Sequence, residues 1–480
     1  MASRGSRHPA KLLHNLPYVA RRLNYAVPSI APGPQATFPG NPEPFVPNPI
    51  TPPEPEPALN LYDSKELFSS VPTGKLIKST ITLHMAAFDP MVGLGIRVMD
   101  SKIMDNPFCK KVVLKTIKHT FYEHFCGGED LVEADRTVRK LWDAGIRAML
   151  DYGLEHANDN GSCDENLKEF IQTIESTKSL PTSPVSFVVV KITAICPPKL
   201  LRRVSDLLRW EYKDNSFHLP WKLKTLPIFA TSTPIYHTPK RPDPLTLDEE
   251  RDLELAYSRL DKICKKSLET NMPLLIDAED TSIQPAIDYF TYSAAIKYRR
   301  DKDPLVFNTI QAYLKDAKDR LVIAKKAADE MGVPMGFKLV RGAYMSSERR
   351  LATSLGVTSP IHDSIQNTHA CFNDCAGFML DEIAKGSGSV VLATHNLESG
   401  KLAAAKAIDL GIKKDSQNLQ FAQLYGMAEA LSFGLRNAGF REGIVEEINN
   451  LTSLKLRLRI YLEKHFILVV ILCSDLGFSC

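Results

Sequence analysis

Six short apolar runs, each ending at its C-terminal edge in a polar or reactive residue, constrain this chain more than any other feature. They read SFVVVK to Lys191, PLLIDAED through Asp277, LVFNTIQ to Gln311, GFKLVRGAY to Tyr344, SVVLATHN to Asn396 and LQFAQLYG to Gly426. Near-continuous Val/Ile/Leu segments are what parallel strands buried on both faces require. Helical periodicity fills most of the gaps between them, so the unit is strand then helix, repeated. In a closed parallel barrel the chemistry gathers where the strands end, and six such edges argue for an enzyme. GIRAMLDY at 145–152 adds a seventh strand. An eighth is not evident.

The 480 residues suit a barrel with insertions, and 44% apolar with 24% charged residues is the balance of a globular chain. A formal net charge of +3 gives no argument for nucleic acid. Nine scattered cysteines with no Cys-x-x-Cys point to a reduced compartment and buried thiols, not to a metal site. Residues 1–40 carry Arg4, Arg7, Lys11, Arg21 and Arg22 without Asp or Glu, the pattern of a mitochondrial targeting segment. Residues 41–60 hold the proline-dense NPEPFVPNPITPPEPEP, an extended spacer. Residues 61–140 read as a helical preamble, 141–440 as the barrel with an insertion at 196–270, and 441–480 as an atypical tail. No run approaches the roughly 18 apolar residues of a membrane helix.

The run tips carry the candidate chemistry. Lys191 can pair with a substrate carboxylate or, desolvated, form a Schiff base. Asp277 sits beside Glu279 and Asp280, and alternation would turn one carboxylate inward. Lys338, Arg341, Gly342, Ala343 and Tyr344 form the densest cluster: alternation lets Lys338 and Tyr344 share a face, Gly342 permits close backbone approach, and Arg341 can hold a phosphate bidentately. Thr394, His395 and Asn396 offer three different hydrogen-bonding groups for a polar ring or a pyrophosphate. Gln311 and Gln423 are further strand-end amides. GxGxxG and Walker patterns are missing, so a nucleotide cofactor would lie across the barrel mouth.

KLVRGAY at 338–344, LATHN at 392–396, FAQLYGM at 421–427, IDAED at 276–280, and Asp151 and Glu155 in MLDYGLE together resemble the proline dehydrogenase family in its mitochondrial, plant-like form. The resemblance covers roughly 62–440. It implies a distorted (βα)8 TIM-type barrel, noncovalent FAD, oxidation of L-proline to pyrroline-5-carboxylate, and electrons passed to a quinone. It also implies peripheral association with the inner mitochondrial membrane on the matrix side. By the same resemblance Lys191 faces the substrate carboxylate, Asp277 lies beside substrate and flavin, and Tyr344 and Leu424 pack on the pyrrolidine ring. Lys338, Arg341, Gly342, Ala343, Gln311, Thr394, His395, Asn396 and Gln423 would line the FAD.

After Phe440 the family pattern is expected to stop. Relatives continue with a strand and a helix bearing paired arginines that grip the substrate carboxylate, one of them gating with the acid that matches Glu155. This chain reads REGIVEEINNLTSLKLRLRIYLEKHFILVVILCSDLGFSC instead. The expectation is a barrel whose final strand and helix are replaced, with two open edges and impaired activity; the tail is read as foreign to the fold, with HFILVVILC as a substitute strand the lesser alternative. Losing two charge-assisted hydrogen bonds of about 1.5–3 kcal/mol each would weaken productive binding by roughly 10²–10⁴. The alternatives are a catalytically inactive flavin-binding or partner-binding barrel, a Schiff-base lyase built on Lys191, and hydroxyproline as substrate.

Overall fold

The computed structural model describes residues 58–154, 156–179 and 184–448. Residues 1–40, read from the sequence as a targeting segment, nearly all of the proline-dense 41–60, Glu155 and residues 449–480 lie outside the described residues. Eight parallel strands close into a barrel in chain order: β1 Arg147–Tyr152, β2 Val185–Val190, β3 Leu274–Ile276, β4 Val306–Gln311, β5 Gly336–Val340, β6 Ser389–Ala393, β7 Leu419–Leu424 and β8 Glu442–Ile448. The seven runs legible as strands all form strands. Each stops at or just before the polar tip that ends the run, which leaves those tips on one rim.

Alternation divides the strand residues between two cores. Met149, Phe187, Val189, Leu275, Phe307, Val391 and Ala422 fill the barrel. Phe187 and Phe307 meet edge to face at 4.8 Å, and a Cβ on Gly336 would stand 2.3 Å from the Phe307 ring, so glycine makes room for the aromatic there. Side chains of the other parity, such as Val188, Val190, Leu274, Ile276 and Leu339, pack under the helices. Each contributes about 1.5–3 kcal/mol by leaving water.

The helix signals act locally. Thr246 and Glu249 form a reciprocal capping box at the start of Leu247–Thr270, whose first turn holds Asp248, Glu249 and Glu250. Gly332, at φ +60°, ends Ala317–Glu330 as its position in the sequence suggests. Between β2 and β3 the chain forms a helix, Pro198–Lys213, then an irregular stretch leading to the Leu247–Thr270 helix. Before β1 lie the helices Thr73–Ala87, Asp89–Asp100, Pro107–Ile117 and Leu131–Asp143.

The expectation of an open barrel is corrected. β8 pairs with β1 from Arg147↔Gly443 to Tyr152↔Ile448 and with β7 from Phe421↔Glu442 to Leu424↔Val445. EGIVEEI does not look like a strand buried on both faces because two of its glutamates, Glu442 and Glu446, are buried. HFILVVILC, the substitute proposed from sequence, lies outside the described residues. Glu446 is sealed beneath the loop before the Leu131–Asp143 helix: a Cβ on Gly127 would fall 2.9 Å from the Glu446 Cβ. Among the described residues neither Glu446 carboxyl oxygen has a hydrogen-bond partner. Burial alone pushes its pKa well above the usual 4.5.

A group whose pKa rises on folding stabilises fully below its unfolded value, and that contribution is lost as pH climbs through the folded value. Glu446→Gln is therefore expected to raise the thermal midpoint, by more at about pH 8 than at about pH 5. Melting curves at the two pH values check this; an equal shift at both, or none, would contradict the buried-carboxyl account.

Candidate active site

The rim is organised by charge. Lys191, the first residue past β2, is buried, with Nζ 2.6 Å from Asp151 Oδ2 on β1 and 3.3 Å from Asp277 Oδ2 just past β3. Lys338 on β5 reaches the other oxygen of Asp277. Two ammoniums and two carboxylates thus interleave across four strands as a set with no net charge. Burial on its own would push the Asp277 carboxyl up, but Lys338 and then Lys191 outweigh it and hold the pKa at about 2.

A second layer fixes the loop after β3. Gln311, buried at the end of β4, donates from Nε2 to the Glu279 carbonyl at 2.8 Å, and Thr193 donates to Glu279 Oε1 at 2.7 Å. The Glu279 N–H in turn donates to Gln284 Oε1, and Gln284 continues to Asp288, which pairs with buried Arg320. Glu348 ties this loop to the helix Met345–Leu355 by accepting from the Thr281 N–H and hydroxyl.

The opposite side of the mouth is built from RGAY and THN. Arg341 gives one hydrogen bond from each nitrogen: Nε to His369 Nδ1 at 2.8 Å, Nη1 to Thr394 Oγ1 at 2.6 Å and Nη2 to Ser399 Oγ at 2.8 Å. Its guanidinium also lies 4.5 Å from the Phe372 ring centroid. Arg341 is therefore a braced strut at the lip. Beside it Gly342 has φ +125°, and a Cβ there would sit 2.5 Å from the Tyr313 ring; Gly342 and Ala343 are both exposed.

Placement of the remaining residues differs in detail from what alternation suggests. β5 ends at Val340, so Tyr344 is set by the turn and stands at the N-cap of the Met345–Leu355 helix. Asn396 caps the helix Leu397–Asp409 by accepting from the Ser399 N–H at 2.8 Å. His395 Nε2 accepts the Leu424 N–H at 2.9 Å, so the neutral ring carries its proton on Nδ1 and holds Leu424 in place. Gln423 is not brought to the mouth. It faces the outer helix layer, where its Oε1 accepts from Ser432 at 2.7 Å, because its neighbour Leu424 takes the other side of the strand. Glu155 lies outside the described residues. Sequence reasoning missed His369, Ser399, Phe372 and Tyr313 as supports: all lie on helices or loops, away from the strand tips that gave the signal.

An eight-stranded parallel barrel carrying interleaved charges at its C-terminal mouth is the architecture of a barrel enzyme. A family model described as proline dehydrogenase matches residues 134–455, a span that includes β8 and extends beyond the Phe440 limit drawn from motifs. The chain is 58% identical over 402 residues to "Proline dehydrogenase 1, mitochondrial" of Arabidopsis thaliana, covering 83% of this chain and 81% of that one. It is 56% identical over 391 residues to "Proline dehydrogenase 2, mitochondrial" of the same plant, covering 81% and 82%. Among solved structures, proline utilization A from Bdellovibrio bacteriovorus, inactivated by N-propargylglycine, matches with a TM-score of 0.61 at 18% identity. That match covers 81% of this chain and 38% of the longer solved chain, and is a likeness of fold. The chain belongs to the proline dehydrogenase family and is an oxidoreductase of proline catabolism.

Asp277→Asn would leave Lys338 buried without its carboxylate. Breaking such a pair costs roughly 3–5 kcal/mol, read as a lower denaturant midpoint at neutral pH. Because the Asp277 pKa is lowered on folding, its contribution is present above the unfolded value of 3.8 and is lost as pH falls through about 2. The gap between variant and wild type should therefore narrow on acidification below about pH 4. A gap that stayed constant would remove Asp277 from the centre of the site.

Proposed function

We propose that this chain oxidises L-proline to pyrroline-5-carboxylate at the barrel mouth, with noncovalent FAD, and passes the electrons to a quinone. The observation that carries the reading is the Arg341–Thr394 hydrogen bond of 2.6 Å. It joins RGAY to THN, two motifs distant in sequence that would line one cofactor. The exposed Gly342–Ala343 backbone beside this strut, with no room for a Cβ against Tyr313, fits a flat ring system laid across the rim. FAD, when bound, supplies the hydride acceptor. Arg341, Thr394, His395, Asn396, Gly342, Ala343 and Gln311 would hold it or brace the loops around it; no such role is proposed for Gln423.

Lys191, Asp277 and Lys338 shape the substrate side. A net-neutral set that presents both signs suits a zwitterion such as proline, with Lys191 attracting the carboxylate. Leu424, fixed by His395, and Tyr344 give the ring an apolar wall. The protein's task is to hold the ring carbon against the acceptor, a proximity effect. No adjacent arginine pair follows β8 in the sequence, so Lys191 would bear more of the carboxylate binding than in relatives that have one, and turnover is reduced. The relatives named mitochondrial and the basic, acid-free start support the mitochondrion; peripheral attachment at the matrix face of the inner membrane is what the proposed quinone acceptor would require.

Proline added anaerobically to the purified yellow protein should bleach the flavin. Lys191→Met should keep its flavin and require about 10–100-fold more proline for half-bleaching, the equivalent of one charge-assisted hydrogen bond. Flavin binding without bleaching would favour the inactive barrel; bleaching by 4-hydroxyproline alone would reassign the substrate; borohydride trapping of a carbonyl compound on Lys191 would favour the lyase.

A further inference from the structure

The helical layer before the barrel buries one set of apolar side chains, Ala86, Met99 and Met104 among them, and leaves another in the open. Eight of the twenty large apolar side chains that are exposed among the described residues lie between Ile77 and Val112. They are not scattered. In Thr73–Ala87 and its C-cap, Ile77, Ile81 and Phe88 fall on one side of the helix, at 57%, 56% and 58% exposure. Phe108, 76% exposed, and Val112 are one turn apart on Pro107–Ile117, and Leu94 adds to the exposed set from Asp89–Asp100. Isolated exposed leucines mean little, but apolar side chains grouped on the outer sides of successive helices, in addition to those that pack inward, mark a surface made for something apolar.

Charge says which partner. Residues 73–117 hold seven Lys and Arg against three Asp, a surplus larger than the +3 of the whole chain. One of the seven, Lys78, pairs with Glu123; Lys75, Arg97, Lys102, Lys110, Lys111 and Lys115 are exposed. A second copy of this surface would meet it with like charge, and so would residues 1–42, which have no acid. An anionic bilayer offers the complement to both features: hydrocarbon for the apolar stripes and lipid phosphates for the lysines.

The position says why. The inner side of Thr73–Ala87, through Leu83, Ala86 and Ala87, packs with Phe125 and Met427 against Leu424 at the barrel mouth. One helix thus separates the substrate wall from the exposed stripe. We propose that the layer 73–117 is the face on which the enzyme rests on an anionic phospholipid bilayer, so that a lipid-dissolved quinone meets the barrel mouth from that side. The inference rests on the quinone reading above and deepens it by naming the surface and the lipid charge. No helix among the described residues is long and apolar enough to cross a membrane, so the contact is interfacial.

The full chain is tested by flotation with phosphatidylcholine vesicles, with and without phosphatidylglycerol. It should float with the anionic vesicles and be released by high salt. The triple variant Ile77→Ser, Ile81→Ser, Phe108→Ser and the charge variant Lys110→Glu, Lys111→Glu should each bind about tenfold less or weaker. Both variants should still be bleached by proline and turn over a short-chain, water-soluble quinone like wild type, while losing rate with a long-chain quinone embedded in the vesicles. Wild type that stays unbound, variants that float as well as wild type, or a dimer in sedimentation that both variants dissolve would overturn the proposal. Flotation without proline bleaching would instead sink the catalytic reading and leave the lipid surface standing.

Discussion

Asp277 is the ion on which the mouth of this barrel depends. Lys191 and Lys338 come from strands on either side of it, and two buried ammoniums at such range would repel each other and pay a large desolvation cost without a carboxylate between them. Asp277 supplies one oxygen to each, while Asp151 completes the balance from β1. The price is a rigid requirement on β3: its short paired segment, Leu274–Ile276, must end where it does for the carboxylate to fall between the lysines. The bonds from Gln311 and Thr193 to Glu279, and from Thr281 to Glu348, hold the following loop to that requirement.

The two sides of the mouth are built differently, and the difference suits two kinds of guest. Around Asp277 the polar groups are charged, buried and mutually neutralised, which favours a small zwitterion. Around Arg341 they form a brace at an exposed glycine-alanine edge, which favours a broad planar group. The Thr73–Ala87 helix closes over the Leu424 side, so the apolar surface outside and the packing on Leu424 inside belong to one element. Under the proposed function, a reaction that takes a polar metabolite from water and gives electrons to a lipid-soluble carrier would use this adjacency.

Closure of the barrel exposes a limit of pattern reading. β1 to β7 are legible because strands buried on both faces must be apolar almost throughout. β8 is not, because Glu442 and Glu446 occupy buried positions where Val or Ile would be expected. Pairing on both sides supplies backbone hydrogen bonds that a single run cannot reveal, and these outweigh the cost of a buried carboxyl that can take up a proton. The same contrast appears at β7. Gln423 and Leu424 are adjacent, so they cannot share a face; which one enters the mouth depends on the register with β8.

Composition and order along the chain were enough to determine a repeated strand-and-helix unit, the rim at which Lys191, Asp277, Lys338, Arg341 and the Thr394–Asn396 segment would end, and, through the motifs, the family. These are properties of local sequence, set by which residues tolerate burial and which stop a helix. Tertiary structure alone decided that Asp277 bridges two lysines, that Arg341 is braced by His369, Thr394 and Ser399, that Gln423 turns away, and that an acidic segment closes the barrel. Each of those depends on partners distant along the chain, and only the closed barrel brings them within hydrogen-bonding distance.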